Sequence, residues 1–213
     1  MKKLFLYLAV LFLFSVIFTS CSVDLKLTLK KDGSVDIAFA GGTGEAFTKM
    51  ILAAAGSQNG QGAQGTKTID VKQVSYELAK AGFSNVKADA KSASDIRITM
   101  SDLKKSSYIF TSGLVKAENK QLKLNITKQV LIDFYDSADE QTKMILDLFL
   151  APVFNDEEMS HSEYIEMLGT FYGQDSANEV ENSYITITLI ELEGKNQSQK
   201  IPMSQIMCGE FAN

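Results

Sequence analysis

The chain has 213 residues, with 21 Lys and Arg against 26 Asp and Glu, a net charge of −5. That balance offers no basic face to a phosphate backbone, so no nucleic-acid partner is expected. Two cysteines exclude a disulfide-dense scaffold, and two prolines with no tryptophan suggest a compact chain without Pro-rich linkers.

The first element is "KKLFLYLAVLFLFSVIF". Lys2 and Lys3 precede a continuous apolar run from Leu4 to Phe18. Positive charge followed by such a run is the pattern of a secretory signal segment. The run falls short of the ~20 residues that span a bilayer, so a permanent transmembrane anchor is the poorer reading. The charged end stays cytoplasmic, and the rest of the chain is expected to be exported.

Phe18-Thr19-Ser20-Cys21 follows. It resembles the lipobox of bacterial lipoproteins, in the relaxed form familiar from spirochaetes, with Phe18 where Leu is usual. The resemblance implies cleavage of residues 1–20 and a diacylglyceryl thioether on Cys21. A single acyl chain holds a protein only reversibly, at about 0.8 kcal/mol per buried methylene, whereas a diacylglyceryl group with an N-acyl (palmitate-type) chain anchors it stably. The mature chain 21–213 would carry 19 basic and 26 acidic residues, net −7. Ser22 replaces the aspartate that often retains such proteins in the inner membrane, so the outer membrane is the expected location.

A hairpin comes next. Val23, Leu25, Leu27 and Leu29 alternate with polar residues, as do Val35, Ile37 and Phe39 after Asp32-Gly33. A strand this close to Cys21 leaves essentially no flexible tether. A helix is expected through Ala46, Phe47, Met50, Ile51 and Ala54, stopped by Gly56, then a flexible loop over 57–66. A second helix spans about 70–81, capped by Asp70 with Gln73 and ended by Gly82.

Short strands are expected at 85–89, 95–100, 108–113 and 121–126, and "TKQVLIDFY" fits either strand or helix. Ser137-x-x-Glu140 reads as a capping box opening a helix that ends near Pro152. Ser160-x-x-Glu163 reads as another, opening a helix that ends at Gly173. A short helix near 175–182 and a central strand over 183–192 close the series. This order predicts an α+β fold, a mostly antiparallel sheet with helices packed on one face. The mature chain is expected to form a single domain, in which the helical block 137–182 reads as an insertion or a small subdomain.

The hairpin "LKLTLKKDGSVDIAF", a helix ending in "AGF" and a following strand pair are similar to the domain of mycobacterial LppM-type lipoproteins, over about residues 23–112. The resemblance implies an envelope lipoprotein of non-catalytic role and carries no site residues.

Three stretches invite chemistry. "FAGGTGEAF" lies between a strand and a helix, where phosphate loops sit, but lacks the Lys-Ser/Thr ending of a P-loop. It reads instead as a hinge, with Thr43 or Gly44 capping a helix. "FNDEEMSHSEY" gathers Asp156, Glu157, Glu158 and Glu163 around His161, the chain's only histidine. A catalytic zinc wants two or three histidines, and a calcium loop wants alternating acids with a glycine, so a solvated acidic loop is expected. Cys208 has no adjacent positive charge to activate it and reads as a small buried hydrophobe.

Catalytic residues, metal ligands and cofactors are therefore expected to be none, and Cys21 is the one assigned site. The leading expectation is a lipid-anchored, non-enzymatic binding or interaction module with an envelope protein as partner. Alternatives are a carrier of a small apolar or lipid ligand and a hydrolase with an unmarked carboxylate pair.

Overall fold

A computed structural model of the chain describes residues 23–42, 44–46, 71–92, 95–105, 107–137, 140–155 and 159–209. The expected signal segment, Cys21, most of the helix near 45–56, the loop 57–66 and the acids 156–158 lie outside the described residues. So do Asp70 and the side chains of Ser137 and Glu140, on which two of the expected capping boxes depend.

The fold is α+β. Strands β1 (Val23–Leu29) and β2 (Val35–Gly41) form the expected antiparallel hairpin, with Leu27 opposite Ile37 and Leu25 opposite Phe39. Gly33, at φ +83°, turns the chain, and Asp32 Oδ1 accepts from the Ser34 amide and hydroxyl. Helix α1 (Val71–Lys80) follows. Its end is a Schellman closure: the Phe83 amide donates to Leu78 and the Gly82 amide to Ala79, with Gly82 at φ +99°. The chain returns through β3 (Ser84–Ser92) and β4 (Asp95–Asp102). Later come β7 (Tyr184–Ile190), β8 (Asn196–Pro202) and, between β4 and β7, a two-stranded ribbon of β5 (Val115–Glu118) and β6 (Gln121–Leu124).

The main sheet has the order β3-β4-β2-β1-β7-β8. Every pairing is antiparallel except β1–β7, where Leu25 lies beside Ile187 and Leu27 beside Leu189. Alternation makes the sheet two-faced. Leu27, Ile37, Phe39, Ile98, Ile187 and their neighbours are buried, while Lys26, Arg97 and Thr99 on the other face are exposed.

The buried face is covered by helices. These are α2 (Tyr108–Thr111), α3 (Lys128–Ser137), α4 (Glu140–Phe154), α5 (His161–Tyr172), α6 (Gln174–Glu181) and α7 (Met203–Cys208). Leu78, Leu131, Leu150, Tyr164, Leu168 and Met207 belong to one buried cluster with the sheet.

Some segments differ from expectation, and one left open is decided. Residues 108–113, read as a strand, form α2 and its exit turn, and the strand instead occupies Val115–Glu118. The β5–β6 loop explains the shift: Asn119 and Lys120 both take positive φ, the two-residue turn that fixes a hairpin register. The stretch that fitted strand or helix is helix α3. Helix α4 continues through Pro152 to Phe154, with a break at Leu150 (φ −116°, ψ 15°) that accommodates the ring. Strand β8 and helix α7 were not expected. The β8 stretch "NQSQK" is solvated on both sides of an edge strand and so carries no apolar alternation.

Candidate functional site

Cys21 itself lies outside the described residues, which begin two positions later with strand β1. Val23 is buried and lies opposite Ile185 of β7. On the other side β2 approaches so closely that a Cβ on Gly41 would sit 3.0 Å from Val23 Cγ2 and 3.2 Å from its Cα. Strand β1 is therefore interior from its first residue.

The same end of the sheet gathers other features. The Gly-rich segment leaves β2 here. A phosphate at this helix start would need its backbone amides, but the Ala46 amide donates to Glu179 Oε1 of α6 at 3.1 Å. A Cβ on Gly44 would also meet the Glu179 carboxylate. A carboxylate of the chain thus occupies the place of an anion, and the segment joins β2 to α6 as a hinge contact. Thr43 lies outside the described residues.

His161 is the first residue of α5. Its helix start carries the expected capping box: Ser160 Oγ accepts from the Glu163 amide at 3.4 Å, and Glu163 Oε2 accepts from the Ser160 amide at 2.9 Å. Hydrogen bonds from Ser160 hold the Glu163 carboxyl below its ordinary range. His161 Nδ1 lies 2.7 Å from Ser204 Oγ on α7. Residue spacing gave no sign of this partner, because the two are 43 positions apart and α7 itself was not anticipated.

A serine bonded to a histidine is the first requirement of nucleophilic catalysis. This serine is fully buried, at 0% exposure, and closed off by its own helix. Cys208 Sγ donates to the Ser204 carbonyl at 2.9 Å, and the Tyr164 hydroxyl donates to Met207 Sδ at 3.2 Å. Burial pushes the Tyr164 phenol far above its ordinary value, with further contributions from Cys208 and Tyr172, so the ring stays neutral. The Ser204–His161 contact is a clasp that ties the start of α5 to α7. Cys208, buried at the far end of that helix, matches the reading of a small core residue.

Among the described residues no three or more His, Cys, Asp or Glu side chains converge as metal ligands. Among them, too, no helix is long and apolar enough to cross a membrane. The chain matches no family of known proteins, no curated protein and no solved structure.

Proposed function

We propose that the protein is a bacterial envelope lipoprotein, held to its membrane by lipid on Cys21 and acting as a non-enzymatic interaction module. The observation that supports this most is the position of β1. It begins two residues after Cys21 and is hydrogen-bonded on both sides, to β2 and to β7. Lipid on Cys21 would thus hold the interior of the sheet within about 7 Å of the attachment point, since a strand rises about 3.4 Å per residue. The lipobox-like Phe18-Thr19-Ser20-Cys21 would supply the chemistry of attachment, the apolar run before it would direct export, and Ser22 favours the outer membrane.

Tryptic digestion of the membrane-purified protein tests this. The account predicts an N-terminal peptide Cys21–Lys26 with the mass of a diacylglyceryl and an N-acyl group added. An unmodified peptide, or one beginning upstream of Cys21, would refute lipidation.

A further inference from the structure

Helices α5 and α6 form a hairpin turned at Gly173 (φ +89°). They approach closely: a Cβ on Gly169 would meet Gln174 Oε1 at 3.2 Å and Ala177 Cβ at 3.6 Å. Their inner sides are fixed in the core through Tyr164, Leu168, Ala177 and Val180. The tip is therefore a rigid projection. What it presents is unusual for a surface, because Phe171 is 75% exposed and Tyr172, beside it at 6.5 Å between ring centroids, is 39% exposed.

Helices α5 and α6, which carry the rings, hold five acidic residues and no lysine or arginine. From Met144 to Gly194 the chain has eleven acidic residues and no lysine or arginine. Glu163 and Glu166 project from the exposed side of α5, and Asp175 stands on the first turn of α6, just past the rings. In the chain the cations flank that segment: residues 21–143 hold seventeen Lys and Arg against fourteen acids, and Lys195 and Lys200 follow it. Scattered surface charge normally mixes signs, and concentrating one sign costs self-repulsion.

From this we infer that the α5–α6 tip is a docking surface for a cationic polypeptide segment, one rich in arginine or lysine, on a partner protein. Its guanidinium or ammonium groups would stack on Phe171 and Tyr172 and pair with Glu166 and Asp175. A cation over an aromatic ring is attracted by the ring's negative face, and a flanking carboxylate adds a charge-assisted hydrogen bond. An anionic membrane surface has the wrong sign for this face. The tip is also at the opposite end of both helices from the β1 start. Helix α5 is tied there through His161 and Ser204, α6 runs back there to Ser183, and the Ser183 carbonyl accepts from the Met203 amide. Twelve residues of α5 place its last turn about 18 Å further along. The inference names the partner chemistry of the interaction module proposed above but does not depend on lipid at Cys21.

The test is a fluorescence-anisotropy titration of the full chain in neutral detergent micelles. The probe is a labelled synthetic peptide of alternating arginine and serine, beside a glutamate-serine control. The account predicts saturable binding of the arginine peptide alone, weakened by salt. Phe171→Ala should weaken it about fivefold. The double change Glu166→Gln, Asp175→Asn should flatten its salt dependence. Asp89→Asn, on the opposite sheet face, should leave it unchanged. Because Phe171 is so exposed, Phe171→Ala should keep the wild-type melting temperature. Absence of binding, or equal effects of tip and sheet-face variants, would overturn the inference. So would Phe171-dependent binding to anionic vesicles, or Phe171-dependent self-association without peptide binding. A result of either kind leaves the Cys21 lipopeptide measurement unaffected, so the two failures are distinguishable.

Discussion

Ser204 and His161 show how a polar contact can hold two distant segments together. Ser204 is fully buried, so removing His161 would strip its hydroxyl of that partner. A buried hydrogen-bonding group left unmatched costs about 1–3 kcal/mol. His161→Ala should therefore lower the melting temperature by about 2–12 °C for a chain of this size. A calorimetric scan within about a degree of wild type would show that the clasp contributes nothing. A second residue-scale prediction concerns acid. The Lys30 ammonium, 2.8 Å from Asp36 Oδ2, together with the Ser101 hydroxyl, holds the Asp36 carboxyl below the usual range. A carboxyl whose folded value is depressed stabilises fully above its unfolded value, near pH 4, and loses that contribution as pH falls through the folded value. The pair is largely solvated, so the effect is modest. The melting temperatures of wild type and Asp36→Asn should differ at neutral pH and converge as the pH falls below about 3. A constant gap would contradict the assignment. At this scale the sequence was legible where partners are local, as with Asp32-Gly33-Ser34 and the Ser160–Glu163 box. It was silent about Ser204 and Glu179, whose partners are brought in by tertiary packing.

Elements were legible where a buried face imposes a period. Strands β1, β2, β4 and β7 show alternate burial, and helices α1, α5 and α6 start and stop at or within a residue or two of their expected bounds. Where no face is buried, the pattern disappears. Strand β8 is polar from Asn196 to Lys200, yet its hairpin closes as the first one does. Gly194 takes φ +76° and donates to the Glu191 carbonyl, just as Gly33 at φ +83° donates to Lys30. The Glu193-Gly194 pair was thus the available signal for β8, parallel to Asp32-Gly33. Helix α2 was misread because "YIF" is as much at home in a strand; its start is fixed instead by buried Asp102, whose Oδ2 accepts from the Ser107 amide at 2.8 Å. Two predictions belong here. Ser160→Ala removes the cap of α5 and should cost about 1 kcal/mol in chemical denaturation. Gly41→Val forces a side chain against Val23 at the start of the central strands and should cost about 1–3 kcal/mol. A Gly41→Val protein as stable as wild type would mean that β2 does not lie so close to β1.

On the scale of the whole molecule, two asymmetries organise the chain. One face of the sheet is packed under helices and the other is solvated. One segment, Met144 to Gly194, carries acids alone, while the described cations of the main sheet, such as Lys26, Lys87 and Arg97, stand on its open side. An anchor at Cys21 would fix a third direction, with the β1 start at the membrane and the aromatic tip of α5–α6 at the other end of its helices. The net charge conceals this separation, which appears when charge is counted segment by segment along the chain.

The most direct measurement of the central claim is fractionation of cells producing wild-type protein or Cys21→Ala, with the membranes washed in alkaline carbonate. Stable anchoring through acyl chains predicts wild-type protein in the washed pellet and Cys21→Ala released to the soluble fraction. Cys21→Ala retained in the pellet like wild type would contradict the account, because the membrane attachment would then reside in something other than lipid on that cysteine.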